Sequence, residues 1–380
     1  MSKIKPLLCL AALLAITIAP TSASAISAAD AFLKNVQQGD LSLRSVGRMS
    51  FGPNGLLLVA EPGSASVVAI DTGDTGPVKK LKRRLDDIDS VVAASLGVQK
   101  KGVRIVDLTV NPASGLIYLS VTVNKQAAIL TVNEDGKVGS LDLKTLPYVK
   151  ATLPTAKNAK FGRMTDLAFT EDRIIVAATS NEEFSNKIYS LPLPLKHGVA
   201  ADVISAETYH VAHGRWETRA PIQSFIPYKE DGKNYIVGAF ACTPVAKFPI
   251  DGIASGAKIR GTSVLELGSG NRPRDMFTYK SGGKTWVVTN TERFKANLFG
   301  PSKYWGARID MKYLEAKGAD ETNKKAPRRN VKKTQGPEAN GIEVVEELFG
   351  VVLVSQLQND EVVVLRETGD TRALELTRLP

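Results

Sequence analysis

The chain has 380 residues with a formal net charge of +10, and 43% of its residues are hydrophobic. A chain of this length can bury a core of its own. It contains two cysteines, of which only Cys242 lies beyond the predicted N-terminal leader, so a disulfide framework within one chain is excluded.

The first 25 residues are predicted to be a secretory signal peptide. They contain Lys3 and Lys5, an apolar run over residues 7–19 that is too short to span a bilayer, and Ala23-Ser24-Ala25 as a cleavage site. Cleavage after Ala25 leaves one domain, residues 26–380, and removes two lysines and no acids, so the net charge falls to +8. No later segment has the roughly 18 consecutive apolar residues of a membrane span. We therefore expect a soluble protein that is periplasmic or secreted.

Six segments share a pattern of alternating apolar residues interrupted by polar or glycine-containing corners, which is typical of an antiparallel meander. The clearest is 162–191, where three short strands follow one another. The other five segments are 49–71, 106–132, 222–250, 274–291 and 342–367. A single meander leaves one apolar face uncovered, so these units must shelter one another.

The first strands of five segments align with a regular period. The aligned positions are Phe51, Val110, Phe169, Ile226 and Phe277, separated by 59, 59, 57 and 51 residues. Repeats of several strands each predict an all-β fold, a β-propeller with six blades. The long period predicts an extra loop or a fourth strand in each blade, and a seventh blade within residues 292–340 stays open.

Two inserts interrupt the repeats. In the first, Leu81, Leu85, Ile88, Val92 and Leu96 recur at helical spacing, which predicts an amphipathic helix over residues 78–98, packed against a blade. The basic residues at 79–84 would then occupy its first turns, where the helix dipole disfavours them.

The second insert, residues 315–340, has no periodic apolar face and is predicted to be a long exposed loop. It contains a cluster of six basic residues, Lys324, Lys325, Arg328, Arg329, Lys332 and Lys333. This cluster is either a patch for an anionic partner or a solvated loop that keeps the protein soluble. No aromatic residues lie between the charges, so we expect no nucleic-acid partner.

The candidate catalytic residues are His213, Glu217 and Cys242. His210 and His213 precede the first strand of the fourth repeat, and Cys242 follows the next strand. Loops at one end of a propeller converge on its central opening, so we expect the three candidates to face one another there. Such a group binds a transition metal or places a base beside a nucleophile. The alternative is a buried structural cysteine and a loop held by hydrogen bonds.

Three aspartates, Asp107, Asp166 and Asp275, recur at one place in the repeat, and Arg48 occupies that place in the first repeat. A ring of carboxylates at the channel mouth is a candidate Ca²⁺ site. Alternatively, each aspartate accepts hydrogen bonds from backbone amides and ties its blade to the next.

Arg272 and Arg274, together with Asn290, are candidates for binding an anionic ligand near the axis, because arginine grips carboxylates with a planar fork. The sequence contains no phosphate-binding glycine loop, no G-x-S-x-G elbow and no C-x-x-C-H motif. These absences exclude P-loop nucleotide hydrolysis, an ordinary α/β-hydrolase and covalent haem.

The strand pairs DLAFTEDRIIVAAT (166–179) and MSFGPNGLLLVAEPGSASVVAID (49–71) resemble blades of exported bacterial six-bladed propellers of the NHL and TolB-like kind. The resemblance covers about two thirds of residues 26–380 and implies the architecture more than the function. Some of that group, the gluconolactonases, are metal-dependent lactone hydrolases that use Glu, Asn and Asp on the central axis. Glu61 is the only early candidate for the Glu of that set, and the expected spacing of Asn and Asp after it is not present.

Two functions remain open at this point. The first is a binding module whose loops around the central opening hold a small molecule or a protein partner. The second is a hydrolase or oxidoreductase that depends on a metal or cofactor, with Ca²⁺ or a transition metal over the central channel.

Overall fold

Six antiparallel sheets form a ring around a central channel, so the predicted all-β six-bladed propeller is confirmed. The computed structural model describes residues 27–241, 244–252, 254–268, 270–294, 300–315, 323–328 and 342–380, with the backbone of 338–339. The predicted signal peptide and Cys242 lie outside the described residues. No helix in the described part of the chain is long and apolar enough to cross a membrane.

We number the blades by the order of their inner strands along the chain. From the axis outward, blade 1 contains Met49–Phe51, Leu56–Glu61, Ser66–Asp71, Pro147–Thr152 and Gln37–Gln38. Blade 2 contains Val103–Val110, Ile117–Val123, Gln126–Val132 and Val138–Ser140. Blade 3 contains Phe161–Phe169, Arg173–Ser180, Asn186–Pro192, Asp202–His210 and Arg215–Glu217, with Lys258–Arg260 parallel to Asp202–His210.

The other three blades follow the same plan. Blade 4 contains Ile222–Glu230, Lys233–Phe240, Pro244–Pro249 and Thr262–Glu266. Blade 5 contains Asn271–Ser281, Lys284–Arg293, Tyr304–Asp310, Ile342–Val345 and Glu338–Ala339. Blade 6 contains Val351–Gln358, Glu361–Thr368 and Thr371–Arg378. A separate two-stranded sheet pairs Leu33–Lys34 with Leu195–Lys196.

Local turn chemistry sets the strand boundaries. In blade 4 the hairpin turns at Asp231-Gly232, where both residues have positive φ, because the two-residue turn between Glu230 and Lys233 needs that conformation to match the strand twist.

The sixth blade begins later in the chain than the sequence predicts. Ile342–Val345 forms the fourth strand of blade 5, and the first strand of blade 6 is Val351–Gln358.

The blades do not follow one another around the ring in chain order. Each of six hydrophobic clusters fills one interface between blades, and together they give the circular order 2, 1, 3, 4, 5, 6. The pairs of cluster members that identify the interfaces are Tyr118 and Val59, Leu58 and Leu167, Ile175 and Phe225, Val237 and Val287, Val288 and Val364, and Leu365 and Leu119. Blade 2 therefore lies between blade 6 and blade 1.

Two crossings make this order possible. After blade 1 the chain runs to the outside of blade 6, where Leu85 forms a two-way backbone bridge with Leu374. After blade 2 it returns to blade 1, and Pro147–Thr152 pairs with Ser66–Asp71 as an outer strand. The ring is thus closed by segments from early in the chain.

The insert after blade 1 contains a helix, but it is shorter than the prediction of residues 78–98. It runs only from Ile88 to Ser95, with Asp87 as the N-cap accepting a hydrogen bond from the amide of Ser90. Residues 79–84 precede this helix and are not helical, so the expected conflict with its dipole does not arise. The leucines at 81 and 85 are buried because this extended segment packs against blades 2 and 6. A first short helix spans Ala28–Phe32.

Part of the predicted basic loop is packed rather than free in solvent. The side chain of Asn323 accepts a hydrogen bond from the amide of Ser263, and the carbonyl of Pro327 accepts one from the amide of Glu266. Residues 323–328, which include Lys324, Lys325 and Arg328, therefore lie against the outer strand of blade 4. Arg329, Lys332 and Lys333 lie outside the described residues.

Candidate functional site

A β-bulge directly precedes each of the three aspartates that recur in the repeat. The register shifts lie at Ile105/Asp107, Met164/Asp166 and Pro273/Asp275. A bulge re-aims the following side chain, which here brings the carboxylates of blades 2, 3 and 5 toward the axis.

Each aspartate binds the backbone of the next blade in the ring with one carboxylate oxygen. Asp107 accepts from the amide of Met49 at 2.7 Å, Asp166 from the amide of Phe225 at 2.9 Å, and Asp275 from the amide of Val354 at 3.0 Å. These bonds match the structural alternative considered for the aspartates. They also confirm the circular order, because blade 2 bonds to blade 1.

The other carboxylate oxygens converge on Arg48 from blade 1. Its guanidinium donates to Asp107 at 2.6 Å, donates to Asp275, and lies 3.9 Å from Asp166. It also donates to the carbonyl of Arg274 at 2.8 Å. The positive charge at the centre of the proposed Ca²⁺ ring is therefore the guanidinium of Arg48.

Burial shapes the ionisation of this hub. Burial raises the pKa of Asp107, and although the charge of Arg48 lowers it, the pKa settles at about 7. Burial also raises the pKa of Asp166, again against the effect of Arg48. For Arg48, burial lowers the pKa, but the charges of the three aspartates outweigh burial and raise it above its usual range. Arg48 is permanently charged, whereas Asp107 titrates near neutral pH.

The two ends of the channel differ in character. We call them the phenylalanine end and the arginine end. The phenylalanine end is a cavity of about 510 Å³ whose lining includes Phe51, Phe169, Phe225 and Phe277. The arginine end is a pocket of about 210 Å³ whose lining includes Arg163, Arg272 and Arg274. Arg48 borders both and separates them.

The arginine end carries more positive charge than its acidic neighbours balance. Glu292 lies 3.7 Å from Arg272 and 3.5 Å from Arg274, so the two arginines share one carboxylate. Arg163 is exposed, and no described acidic group forms an ion pair with it. The Nε atoms of Arg48 and Arg274 are buried and make no hydrogen bond to any described residue. The Nε atom of Arg48 lies 3.9 Å from Asp166, on the side of the aspartates.

The structure places Arg272 and Arg274 in one pocket and Asn290 outside it. Asn290 is fully buried, accepts from the amide of Asp275, and donates to the carbonyls of Val351 and Val352. Its amide is used to join blade 5 to blade 6.

Glu61 does not face the axis either. It is fully buried in blade 1, where it forms an ion pair with Lys150 and accepts a hydrogen bond from the amide of Arg44 at 2.6 Å. It is therefore not positioned as an axial metal ligand of the gluconolactonase kind.

A second group of polar side chains lies at the outer part of blade 3. Nδ1 of His213 is 2.7 Å from Glu217 Oε1, and Nδ1 of His210 is 2.9 Å from Nδ1 of His213. His213 and Glu217 thus meet as predicted, together with His210, but the expected position over the channel is wrong. None of the three lines either end of the channel, because Asp202–His210 is the fourth strand of its blade and Arg215–Glu217 the fifth.

Burial and charge both act on Glu217. Burial raises its pKa, but the hydrogen bond from His213 and the charges of both histidines outweigh burial, so the pKa lies below its usual value. The cluster therefore favours a carboxylate at this position.

Sequence reasoning missed Arg163, Glu266 and Glu292. Arg163 sits three positions before Asp166, a place comparable to Arg272 relative to Asp275, and this repetition was a readable signal. Glu266 accepts a hydrogen bond from Val211, which is distant in sequence, and Glu292 forms an ion pair with Arg274 on the neighbouring strand. No local sequence pattern identifies either contact.

No protein-family model matches the sequence, and no curated protein matches it significantly. The similar solved structures include three enzymes. The PQQ-bound aldose sugar dehydrogenase of Streptomyces coelicolor is 14% identical, with 93% of this chain and 100% of that chain covered and a TM-score of 0.36. Hydrazine synthase of Kuenenia stuttgartiensis is 12% identical, with 86% and 75% covered and a TM-score of 0.34. A Trichoderma reesei carbohydrate-active enzyme of family AA12, in its calcium structure, is 11% identical, with 90% and 95% covered and a TM-score of 0.34.

These identities and TM-scores carry no argument about function. The six-bladed architecture implied by the resemblance to exported propellers is confirmed by the sheets themselves. Membership of the NHL or TolB-like group is not shown by any of the comparisons.

Proposed function

We propose that the protein is an exported binding module that holds a small anionic molecule at the arginine end of its channel. The observation that carries the proposal is the excess positive charge at this pocket, where Glu292 is the one described carboxylate within ion-pair distance of Arg272 and Arg274 and Arg163 has none. A bound anion would supply the missing negative charge.

The charges support an anion rather than a neutral ligand. Arg163, Arg272 and Arg274 line the pocket, and Glu292 is the carboxylate paired with the latter two. Guanidinium groups bind carboxylates and phosphates through two parallel hydrogen bonds. A volume of about 210 Å³ suits a compact di- or tricarboxylate or a phosphate more than a large ligand.

Thermal unfolding with added anions tests the proposal. Malonate, citrate and inorganic phosphate are each compared with sodium chloride at the same ionic strength, so that screening is held constant. A ligand that binds only the folded state raises the melting temperature as its concentration passes Kd. We expect at least one of the three anions to raise it.

Matched arginine variants locate the binding. Arg163→Ala and Arg272→Ala remove pocket arginines, whereas Arg83→Ala removes an exposed arginine before the helix at Ile88–Ser95. The anion effect should persist in Arg83→Ala and shrink in both pocket variants. If no anion stabilises the wild type, or if all three variants respond equally, the proposed function is wrong.

A further inference from the structure

The cluster of His210, His213 and Glu217 has the composition of a transition-metal site. Two imidazoles and one carboxylate are the protein ligands of several catalytic zinc sites, where water takes the fourth position. One donor atom from each residue lies within 4.8 Å of the others. This cluster lies apart from the channel and does not depend on the proposed anion site.

The local fold holds the three side chains together. Asp202–His210 and Arg215–Glu217 form a hairpin in which Thr208 pairs with Glu217 and His210 with Arg215. Side chains two residues apart on a strand share a face, so His210 and Glu217 are diagonal neighbours. The turn closes with Gly214 at positive φ, and its amide donates to the carbonyl of His210 at 2.8 Å, which folds His213 back over them.

The separations of the donor atoms are close to those of a tetrahedral site, and two of them are shorter. Ligands about 2.0 to 2.1 Å from zinc lie about 3.3 Å from one another in a tetrahedral site. Here the two Nδ1 atoms are 2.9 Å apart, Nδ1 of His213 is 2.7 Å from Glu217 Oε1, and Nδ1 of His210 is 3.4 Å from Glu217 Oε2. Small side-chain rotations would accommodate the ion without moving the backbone.

A buried carboxylate from blade 4 orients this hairpin turn. Glu266 is 1% exposed, and its Oε1 accepts from the amides of Val211 at 2.7 Å and Ala212 at 3.3 Å. The same oxygen lies 3.8 Å from Nε2 of His210, the ring nitrogen that faces away from the cluster. This distance is too long for a hydrogen bond, so Glu266 positions His210 through the amides of the turn and through its negative charge.

One side of the cluster is open to solvent. The side chain of His210 is 2% exposed and that of Glu217 is 19% exposed, whereas that of His213 is 45% exposed. A bound ion would be coordinated by the buried His210 on its protein side. Its coordination position beside His213 would be open to water. This arrangement is the one found in sites that are not fully closed by protein ligands.

We propose that His210, His213 and Glu217 bind a divalent transition ion of the zinc type, with Glu266 as a positioning residue. Protons compete with a metal ion for ligand nitrogen and oxygen atoms, so affinity should fall at low pH. The site is a binding site that the sequence suggested only in part, since His210 and Glu266 were not among the candidates.

Zinc binding to the purified full chain, measured by isothermal titration calorimetry against a chelating buffer at pH 7.5 and pH 5.5, tests the proposal. We expect one zinc ion per chain at pH 7.5 and much weaker binding at pH 5.5. The variants His213→Ala and Glu217→Gln should each lose more affinity than the roughly 10- to 100-fold expected for Glu266→Gln, which removes only an orienting group.

The third histidine supplies a matched control. His197 accepts a hydrogen bond from the amide of Lys150 and packs on Tyr148, away from the cluster. His197→Ala should bind zinc as the wild type does, and circular dichroism should show that every variant is folded. Failure of the wild type to bind zinc, or wild-type affinity in both His213→Ala and Glu217→Gln, would overturn the proposal.

Discussion

Arg48 on blade 1 donates a hydrogen bond to Asp275 on blade 5, which is the blade directly opposite in the ring. The same guanidinium reaches Asp107 and Asp166 on the two blades that flank blade 1. One side chain thus links four of the six blades at the axis. The inner strand of its own blade is short, with only three residues, Met49–Phe51.

Replacing Arg48 should destabilise the protein strongly. Arg48→Met leaves three buried carboxylates without their cation, and breaking a buried ion pair by removing one partner costs about 3 to 5 kcal/mol. The free energy of unfolding from urea titration measures the loss, with Arg83→Met as the exposed control. A loss below about 1 kcal/mol would contradict the assigned role of Arg48.

Asp107 should make the hub sensitive to pH. Its pKa is about 7 in the folded protein and near 3.8 in the unfolded chain, so between those values the folded state holds a proton that the unfolded state has released. Stability falls with rising pH wherever the folded state binds more protons. Asp107 therefore lowers the free energy of unfolding progressively as the pH rises from about 4 to 7, and this effect is constant above pH 7.

The variant Asp107→Asn isolates this effect from other titrating groups. Its stability relative to the wild type should be more favourable at pH 8 than at pH 5, as measured by urea titrations of both proteins at each pH. An unchanged difference between the two proteins across this range would show that Asp107 has an ordinary pKa.

Much of the hub could be predicted from the repeat alone. Asp107, Asp166 and Asp275 stood at one place in the pattern, and Arg48 stood at the same place in the first repeat. What the repeat did not contain was the direction of each side chain, because a β-bulge before each aspartate sets it. The sequence alone therefore predicts a Ca²⁺ site formed by the three aspartates. It does not show that Arg48 is the cation they surround.

The outer parts of the blades were less predictable, for a physical reason. A strand is recognised by its own alternation, but its partner is chosen by long-range packing. The alternation alone therefore assigns Ile342–Val345 to the start of blade 6 and Leu85 to the helix, whereas Ile342–Val345 pairs within blade 5 and Leu85 pairs with Leu374. Leucines buried against a sheet edge and leucines buried on a helix face look alike in a sequence.

Phe169 should contribute less stability than a fully enclosed aromatic residue. It is one of the aligned first-strand positions of the repeat, but it is half-buried, lies at the phenylalanine end, and packs edge to face on Phe32 with ring centroids 5.1 Å apart. Phe169→Ala should cost about 2 kcal/mol, and the fully buried Phe240 about 3 to 5 kcal/mol when replaced by alanine. Equal losses in urea titrations of the two variants would show that Phe169 is as enclosed as Phe240.

Leu85 should matter through its backbone as well as its side chain. Its amide donates to the carbonyl of Leu374 at 2.9 Å on the outer edge of blade 6. Leu85→Ala removes only packing, whereas Leu85→Pro also removes this donor, which should add about 1 to 3 kcal/mol to the loss. Urea titrations that give the two variants equal stability would show that the bridge is dispensable.

The interleaved order of the blades has a consequence for biogenesis. A polypeptide synthesised from its N-terminus presents residues 49–71 long before residues 147–152, which complete their sheet. The segment around Leu85 must likewise wait for Leu374, which lies 289 residues further along the chain. The early strands therefore stay incomplete until late in synthesis, and chaperones that bind unpaired strand edges would act on them during that interval.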